Sequence, residues 1–163
     1  MKHNELSILL KVVTAVCMVL LVAFAVFGAP NIIRTIIDRS AFEQGDYPNL
    51  FTFSVIAVSI FEFIVLLGLI EVWTISRRIG KDQSFCVENA KSLKRIGILA
   101  FADTMFVVIC DFVMLAAMFL SPMFLIGCVI VFAVGAAISV FAFVLSRLVE
   151  KATELQQDSD LTI

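Results

Sequence analysis

Four carboxylic acids interrupt long apolar stretches of the chain, and their side chains are the ones best suited to chemistry. They are Glu62, Glu71, Asp103 and Asp111. Because hydrocarbon does not solvate a charge, an acid at membrane depth is a candidate functional residue. Two such acids that lie close together can share a proton, bind a cation or relay protons. Each acid can instead be protonated and bonded to a nearby carbonyl or hydroxyl group, which is a structural role.

The composition indicates the environment of these acids. Hydrophobic residues make up 61% of the 163 residues, whereas soluble domains typically contain about 45–50%. The net charge of -2 gives no general attraction for nucleic acid, which requires a basic surface. We therefore predict a membrane protein surrounded by the lipid bilayer, with no direct binding of nucleic acid.

Four apolar runs are each long enough to cross the roughly 30 Å hydrocarbon core as a helix. They cover about residues 6–27, 50–76, 96–120 and 123–148, and a tail follows at 149–163. The first run exceeds the roughly 7–15 apolar residues of a signal peptide, so we expect it to be retained. A two-residue connection makes the last two runs antiparallel neighbours. The pattern predicts one all-α integral membrane domain, 1–163, folded as an antiparallel bundle of four transmembrane helices.

Two short helices are expected between these spans. The isoleucines of residues 32–37 share one helical face after Pro30 and Asn31, which predicts an extracytoplasmic helix lying in the membrane interface. Ser84 is suited to cap a second short helix, with Glu88 in its first turn, on the cytoplasmic side ahead of the third span.

The basic residues indicate how the spans are oriented. If the amino terminus is inside, all 12 Lys and Arg residues except Arg34 and Arg39 lie on the cytoplasmic side. Positive charge near the end of a span holds that end in the cytoplasm. Half of the basic residues lie in the central loop, between Arg77 and Arg95. We therefore predict a multi-pass protein of the plasma membrane with both termini and the central loop in the cytoplasm.

Counting residues along the antiparallel second and third spans places the four acids at two depths, at about 1.5 Å per residue. Glu71 and Asp103 are both expected roughly 8–10 Å from the cytoplasmic end. Glu62 and Asp111 are both expected near the middle of the bilayer. Helical rotation prevents both pairs from meeting on one flat interface. Structural roles, ion or proton handling, and lipid or partner contacts all stay open for these residues.

The other reactive side chains indicate neither a disulfide framework nor an enzyme. Three of the four cysteines lie within apolar runs, and Cys86 lies in the basic loop, so no paired pattern is present. The one histidine is His3, and no hydrolase or phosphate-loop motif occurs. We expect no catalytic residue, no metal and no cofactor.

The central loop also carries an ordered pattern that its charge does not explain. Residues 80–97 read GKDQSFCVENAKSLKRIG, and the chain closes on DLTI. These features resemble the YoaS-like family of small bacterial four-span membrane proteins, a domain of unknown function, and the resemblance covers essentially the whole chain. Members of that family are typically encoded beside a small Cro/CI-type helix-turn-helix regulator. The resemblance implies a membrane partner for a cytoplasmic transcription regulator.

The expected function is that of a regulatory or sensory partner of such a regulator. Its expected contact surface combines loop and tail residues on the cytoplasmic side, namely Gly80, Phe85, Glu88, Asn89, Leu93, Asp160, Leu161, Thr162 and Ile163. The alternative is a small proton- or cation-coupled transporter, or an immunity-type membrane protein, that uses Glu62 and Asp111.

Overall fold

The computed structural model describes most of the chain. The described residues are 3–35, 48–81, 83, 85–116 and 122–160. Over these residues the protein contains no β-strand and consists of four helices joined by connections.

The four helices confirm the predicted all-α fold. The first, α1, covers residues 3–35 and joins an α-helix His3–Ala23, a π-helical turn Phe24–Gly28 and further helical residues 29–35. The others are α2 (Pro48–Ile79), α3 (Val87–Ala116) and α4 (Pro122–Asp160). Each of the four is long and apolar enough to cross a membrane.

The helices extend beyond the predicted spans at the end that carries the central loop. The carbonyl of Cys86 accepts the backbone N–H groups of Asn89, at 3.0 Å, and Ala90, at 3.3 Å, which starts α3 nine residues before the predicted span. Residues 87–96 contain neither Gly nor Pro and are rich in strong helix formers, so nothing interrupts this helix. The short helix predicted ahead of the third span is therefore the beginning of α3. Ser84, its predicted cap, lies outside the described residues.

The separate interfacial helix predicted after Pro30 is wrong over the described residues. Asn31 does not cap a new helix, because its Nδ2 donates to the carbonyl of Phe27 at 2.6 Å within a continuing one. Pro30 has no backbone N–H and would disrupt an ordinary α-helix. The π-helical turn lies directly before it, with the N–H of Ala29 reaching back to the carbonyl of Phe24, and such wider turns absorb a local break. Residues 36–47, which complete the predicted segment, lie outside the described residues.

The helices pack in chain order. Neighbouring helices α1 and α2, α2 and α3, and α3 and α4 are in contact. In the described part of the chain, no Cα atom of α4 lies within 8 Å of one in α2 or in residues 3–28 of α1, and none in residues 3–28 of α1 lies within 8 Å of one in α3. The antiparallel bundle is therefore open between its first and last helices.

Small and polar side chains hold the helices together, and large apolar side chains face outward. The buried hydrophobic residues in the described part are three alanines, Ala29, Ala90 and Ala142. The other buried side chains are short and polar or acidic, namely Ser7, Thr14, Glu62, Ser76, Asn89, Ser92, Asp103, Thr104, Ser139, Ser146 and Thr153. Lipid is as apolar as leucine and does not drive large side chains inward, so close contact and interhelical hydrogen bonds stabilise the bundle instead.

Reciprocal hydrogen bonds fasten α1 to α2. The hydroxyl of Ser7 donates to the carbonyl of Ser76 at 3.0 Å, and the hydroxyl of Ser76 donates to the carbonyl of Ser7 at 3.1 Å. Gly80 continues this contact, because a Cβ at that position would lie 2.6 Å from the Ser7 hydroxyl oxygen. The beginning of α1 is thereby fixed beside the end of α2.

The contact between α3 and α4 is a seam of mostly small residues repeated every seven positions. On α3 the repeat comprises Ala90, Gly97, Thr104 and Asp111. On α4 two such series run in parallel, Cys128–Gly135–Ala142 and Ser139–Ser146–Thr153. A strict seven-residue repeat keeps one side of each helix in contact and winds the pair with a left-handed supercoil.

Hydrogen bonds fix the register of this seam. The hydroxyl of Ser146 donates to the carbonyl of Ala90 at 2.7 Å, and the hydroxyl of Ser139 donates to the carbonyl of Gly97 at 2.9 Å. Further along, Gly135 lies directly against the Thr104 side chain. The register places Asp111 opposite Cys128.

Candidate functional site

Two ends of the bundle serve as reference points for the candidate residues. We call the end that holds residues 80–86, the beginning of α1 and the end of α4 the basic end. The opposite end is the far end. The candidates fall into three groups: two buried acids at mid-depth, an acid in a groove near the far end, and the loop at the basic end.

An ion pair sets the relative depth of α2 and α3. Arg95 Nη1 lies 2.8 Å from Glu71 Oε1, with the arginine side chain 61% exposed and the glutamate 18% exposed. Asp103 follows Arg95 by eight residues, which places it about 12 Å deeper. The predicted matched depth of Glu71 and Asp103 is therefore wrong. The prediction measured depth from residue 96, where the apolar run begins, and did not include residues 87–95, which form the first turns of α3.

The ion pair places Glu62 level with Asp103 and not with Asp111. Glu62 precedes Glu71 by nine residues, so both acids lie roughly 12–14 Å from the ion pair. Each is only 7% exposed. Glu62 Oε1 and Asp103 Oδ1 are buried without a hydrogen-bond partner among the described residues. An unsatisfied buried oxygen of this kind costs about 1–3 kcal/mol or more.

The two buried acids lie on different helix contacts. Glu62 precedes Ser76 by fourteen residues, so it shares the side of α2 that bonds α1. Asp103 follows Asn89 by fourteen residues, so it shares the side of α3 that Arg78 of α2 reaches. Helix α2 therefore stands between the two carboxyl groups. No group of three or more potential metal ligands occurs in the described part of the chain.

Asp111 has a different environment from the other acids. The thiol of Cys128 on α4 donates to Asp111 Oδ1 at 3.0 Å. The two residues line a groove of about 250 Å³ between α3 and α4, whose other lining residues are apolar. Asp111 lies five residues, or about 8 Å, before Ala116, the last described residue of α3. This carboxyl group therefore lies in the half of α3 that is remote from the basic end.

Arg78 organises the loop at the basic end. Its Nη1 donates to the carbonyl of Glu88 at 3.1 Å, to Ser92 Oγ at 3.0 Å and to Asn89 Oδ1 at 3.4 Å. Asn89 Nδ2 in turn donates to the carbonyl of Gln83 at 3.0 Å. One guanidinium thus ties the end of α2 to the first turn of α3. From the sequence, Arg78 was only one of six basic residues in the central loop, and its hydrogen bonds were not predicted.

Some residues of the predicted contact surface are exposed and one is buried. Asn89 is 2% exposed, so it holds the loop together and offers no surface to a partner. Phe85 is 58% exposed at the tip of the loop. Gly80 and Glu88 are exposed, and Leu93 is partly exposed. Asp160 ends α4, and residues 161–163 lie outside the described residues.

Helix α4 projects beyond the beginning of α3 at the basic end. Its 39 residues extend for about 58 Å, against a hydrocarbon core of roughly 30 Å. The bond from Ser146 to Ala90 sets its register against α3. Leu155 lies about 13 Å beyond that bond, whereas α3 begins only about 4–5 Å beyond it. Leu155 is 71% exposed on this projecting segment.

Replacing Arg78 by glutamine is expected to loosen the loop, because hydrogen bonds to a charged group contribute about 1.5–3 kcal/mol. We expect chymotrypsin to cleave at the exposed Phe85 several-fold faster in this variant, measured in lipid nanodiscs. The matched control is Arg77→Gln, since Arg77 is exposed and forms no hydrogen bond in the described part of the chain. Equal cleavage rates in the two variants would show that Arg78 does not hold the loop.

The observations above define the class of protein. Four helices able to cross a membrane, contacts made by small residues, and polar bonds between helices are the features of a multi-pass α-helical membrane protein. Over residues 3–163 the chain matches the family described as "Protein of unknown function (DUF2975)", and it belongs to that family. No curated protein and no solved structure matches the chain.

Proposed function

We propose that this protein is a membrane-embedded regulatory partner that holds a small helix-turn-helix regulator at its basic end. The observation that carries the proposal is the projection of α4 beyond α3, with Leu155 71% exposed on it. An exposed leucine outside the hydrocarbon region gains nothing from lipid, and it is available to a protein partner. No catalytic role is part of this proposal.

The proposed orientation places the basic end in the cytoplasm of the cell, with the protein in the plasma membrane. Lys and Arg residues accumulate at this end, and anionic lipids of the cytoplasmic leaflet attract them by roughly 1 kcal/mol per residue near the surface. A cytoplasmic regulator would therefore meet the projecting part of α4 and the loop.

The docking surface combines an apolar part with a charged part. Phe85 on the loop and Leu155 on α4 supply exposed apolar anchors. Glu150 and Glu154 are exposed on the same projecting segment of α4. Acidic side chains complement the basic surface with which a regulator binds DNA, and charge complementarity favours encounter and orientation. Docking there would keep the regulator away from DNA until it is released.

Capture of a small helix-turn-helix regulator, which the family resemblance implies is encoded beside the gene, tests this proposal. The protein is reconstituted in nanodiscs, and binding of the purified regulator is measured for Phe85→Ala, for Leu155→Ala and for a truncation that removes residues 160–163. We expect each change to weaken capture at least tenfold. The control is Ile126→Ala, which changes a similarly exposed apolar residue near the far end. Unchanged capture by all three altered proteins would refute the docking surface.

A proton- or cation-coupled transport role is the second candidate function. The observation that favours it is the burial of Glu62 and Asp103 at one depth, each with an oxygen that lacks a hydrogen bond in the described part of the chain. Buried acids near mid-membrane commonly mark ion or proton pathways. By depth, Asp103 and not Asp111 is the second acid to test in this role, and α2 separates its carboxyl group from that of Glu62.

Ion flux separates the two candidate functions. Proteoliposomes containing a pH-sensitive dye are compared for the protein, for the double variant Glu62→Gln with Asp103→Asn, and for Glu71→Gln as control. Transport predicts proton flux that the double variant abolishes and that the control retains. Flux equal to that of empty vesicles would exclude the transport role.

A further inference from the structure

The groove between the far halves of α3 and α4 has the composition of a ligand site. It has a volume of about 250 Å³, and six of its eight lining residues are apolar. Phe112 and Phe132 lie on its walls, one from each helix. Asp111 and Cys128 are the other two lining residues. An apolar cavity with few polar groups is the usual form of a small-molecule site.

The carboxyl group of Asp111 in this groove accepts fewer hydrogen bonds from the described residues than it can. The Cys128 thiol, a weak donor, gives one bond to Asp111 Oδ1. It is the one hydrogen bond that Asp111 forms within the described residues. A carboxylate has about four acceptor positions, so capacity for a ligand is left.

No cation of the protein balances this carboxylate in the described part of the chain. The ion pair present there joins Arg95 to Glu71 near the basic end. Between Arg95 and Arg147 the sequence contains neither Lys nor Arg. Arg34 on α1 is exposed and forms no ion pair among the described residues. The charge of the groove is therefore complementary to a positively charged ligand.

We propose that this groove binds a lipophilic cation, such as an amine or a quaternary ammonium with an apolar body. Asp111 pairs with the positive charge, and the aliphatic lining receives the apolar body. The faces of Phe112 and Phe132 add cation–π attraction to the bound charge. The proposal is independent of docking at the basic end.

Binding of benzyltrimethylammonium tests the proposal, because its neutral isostere neopentylbenzene has the same shape without the charge. Nanodiscs holding the protein are dialysed against the radiolabelled cation, and binding to empty nanodiscs is subtracted. We expect one saturable site that the neutral isostere fails to displace. Asp111→Asn is expected to weaken binding at least tenfold, and Phe112→Ala a few-fold.

Two further variants separate loss of the site from loss of the fold. Asp103→Asn removes a buried acid that does not line the groove, and it should bind as the parent protein does. Val129→Trp fills the groove while Asp111 is retained, and it should abolish binding in a protein that still elutes as one species on size exclusion. Equal binding by the Asp111→Asn variant and the parent protein overturns the proposal. Displacement by the neutral isostere at the same concentration overturns it as well.

Discussion

Replacing Gly135 by leucine is expected to lower the midpoint of thermal unfolding by about 5–10 °C in detergent. A Cβ at this position would collide with Thr104 Oγ1 across the α3–α4 seam. Overpacking a close contact typically costs about 1–3 kcal/mol, and a chain of this size loses roughly 2–4 °C per kcal/mol. The measurement is a melting curve of the purified protein followed by helical circular dichroism.

The surroundings of Thr104 explain why it cannot move aside freely. Its side chain is 3% exposed, and its hydroxyl donates to the carbonyl of Ala100 at 2.7 Å. Thr104→Ala removes the colliding oxygen, so it should restore part of the stability lost in the Gly135→Leu variant.

Gly127 on the same helix supplies the matched control for Gly135. Among the described residues, a Cβ at Gly127 would meet nothing within 4 Å. Gly127→Leu should therefore leave the midpoint nearly unchanged. Helix propensity favours leucine over glycine, so if Gly127→Leu lowers the midpoint as much as Gly135→Leu, a general effect of leucine on α4 and not the collision at the seam accounts for the loss.

The second large effect is expected at the buried acids, where removal of a carboxyl group should stabilise the protein. Glu62→Met keeps a similar side-chain volume and removes Oε1, which is buried without a partner among the described residues. The relief of an unsatisfied buried oxygen is about 1–3 kcal/mol. We expect a higher melting midpoint for Glu62→Met, and also for Asp103→Leu.

Glu71→Met is the control for this prediction, because Glu71 has a partner in Arg95. Its ion pair is largely exposed on the arginine side, so its loss should change stability by no more than about 1 kcal/mol. A clear fall in the midpoint of the Glu62→Met variant would mean that the carboxyl group stabilises the fold. A rise that accompanies loss of proton flux would assign Glu62 a functional role that costs stability.

The sequence predicted the number and approximate positions of the helices, because hydropathy reports directly on membrane crossing. It misplaced their ends, since residues such as Glu88 and Lys91 are polar but form helices well. This error also shifted the depth assigned to Asp103. Counting residues along one apolar run does not give the register between two helices. A contact between them, such as that between Arg95 and Glu71, does.

The sequence indicates the α4 side of the small-residue seam but not its α3 side. The residues Gly127, Gly135, Ser139 and Ala142 predict close approach of the fourth span, and all but Gly127 belong to the seam. The partner residues on α3, which include Gly97 and Thr104, become visible only when the seven-residue spacing is followed across polar and apolar positions alike. The position of Asp111 in that repeat also explains why it faces α4 and has no part in a pair with Glu62.

The π-helical turn in α1 shifts the pattern of buried positions along the helix by one residue. Ser7 and Thr14, which are seven residues apart, are buried at 1% and 3% exposure. The same repeat would next bury Leu21 and Gly28, yet the residue buried at 6% exposure is Ala29, one position later. The turn Phe24–Gly28 accommodates this additional residue. Deletion of one residue within the turn would therefore convert it to an ordinary α-helical turn. Ala29 would then fall in the seven-residue repeat of Ser7 and Thr14, so both halves of α1 would keep the sides that they now bury.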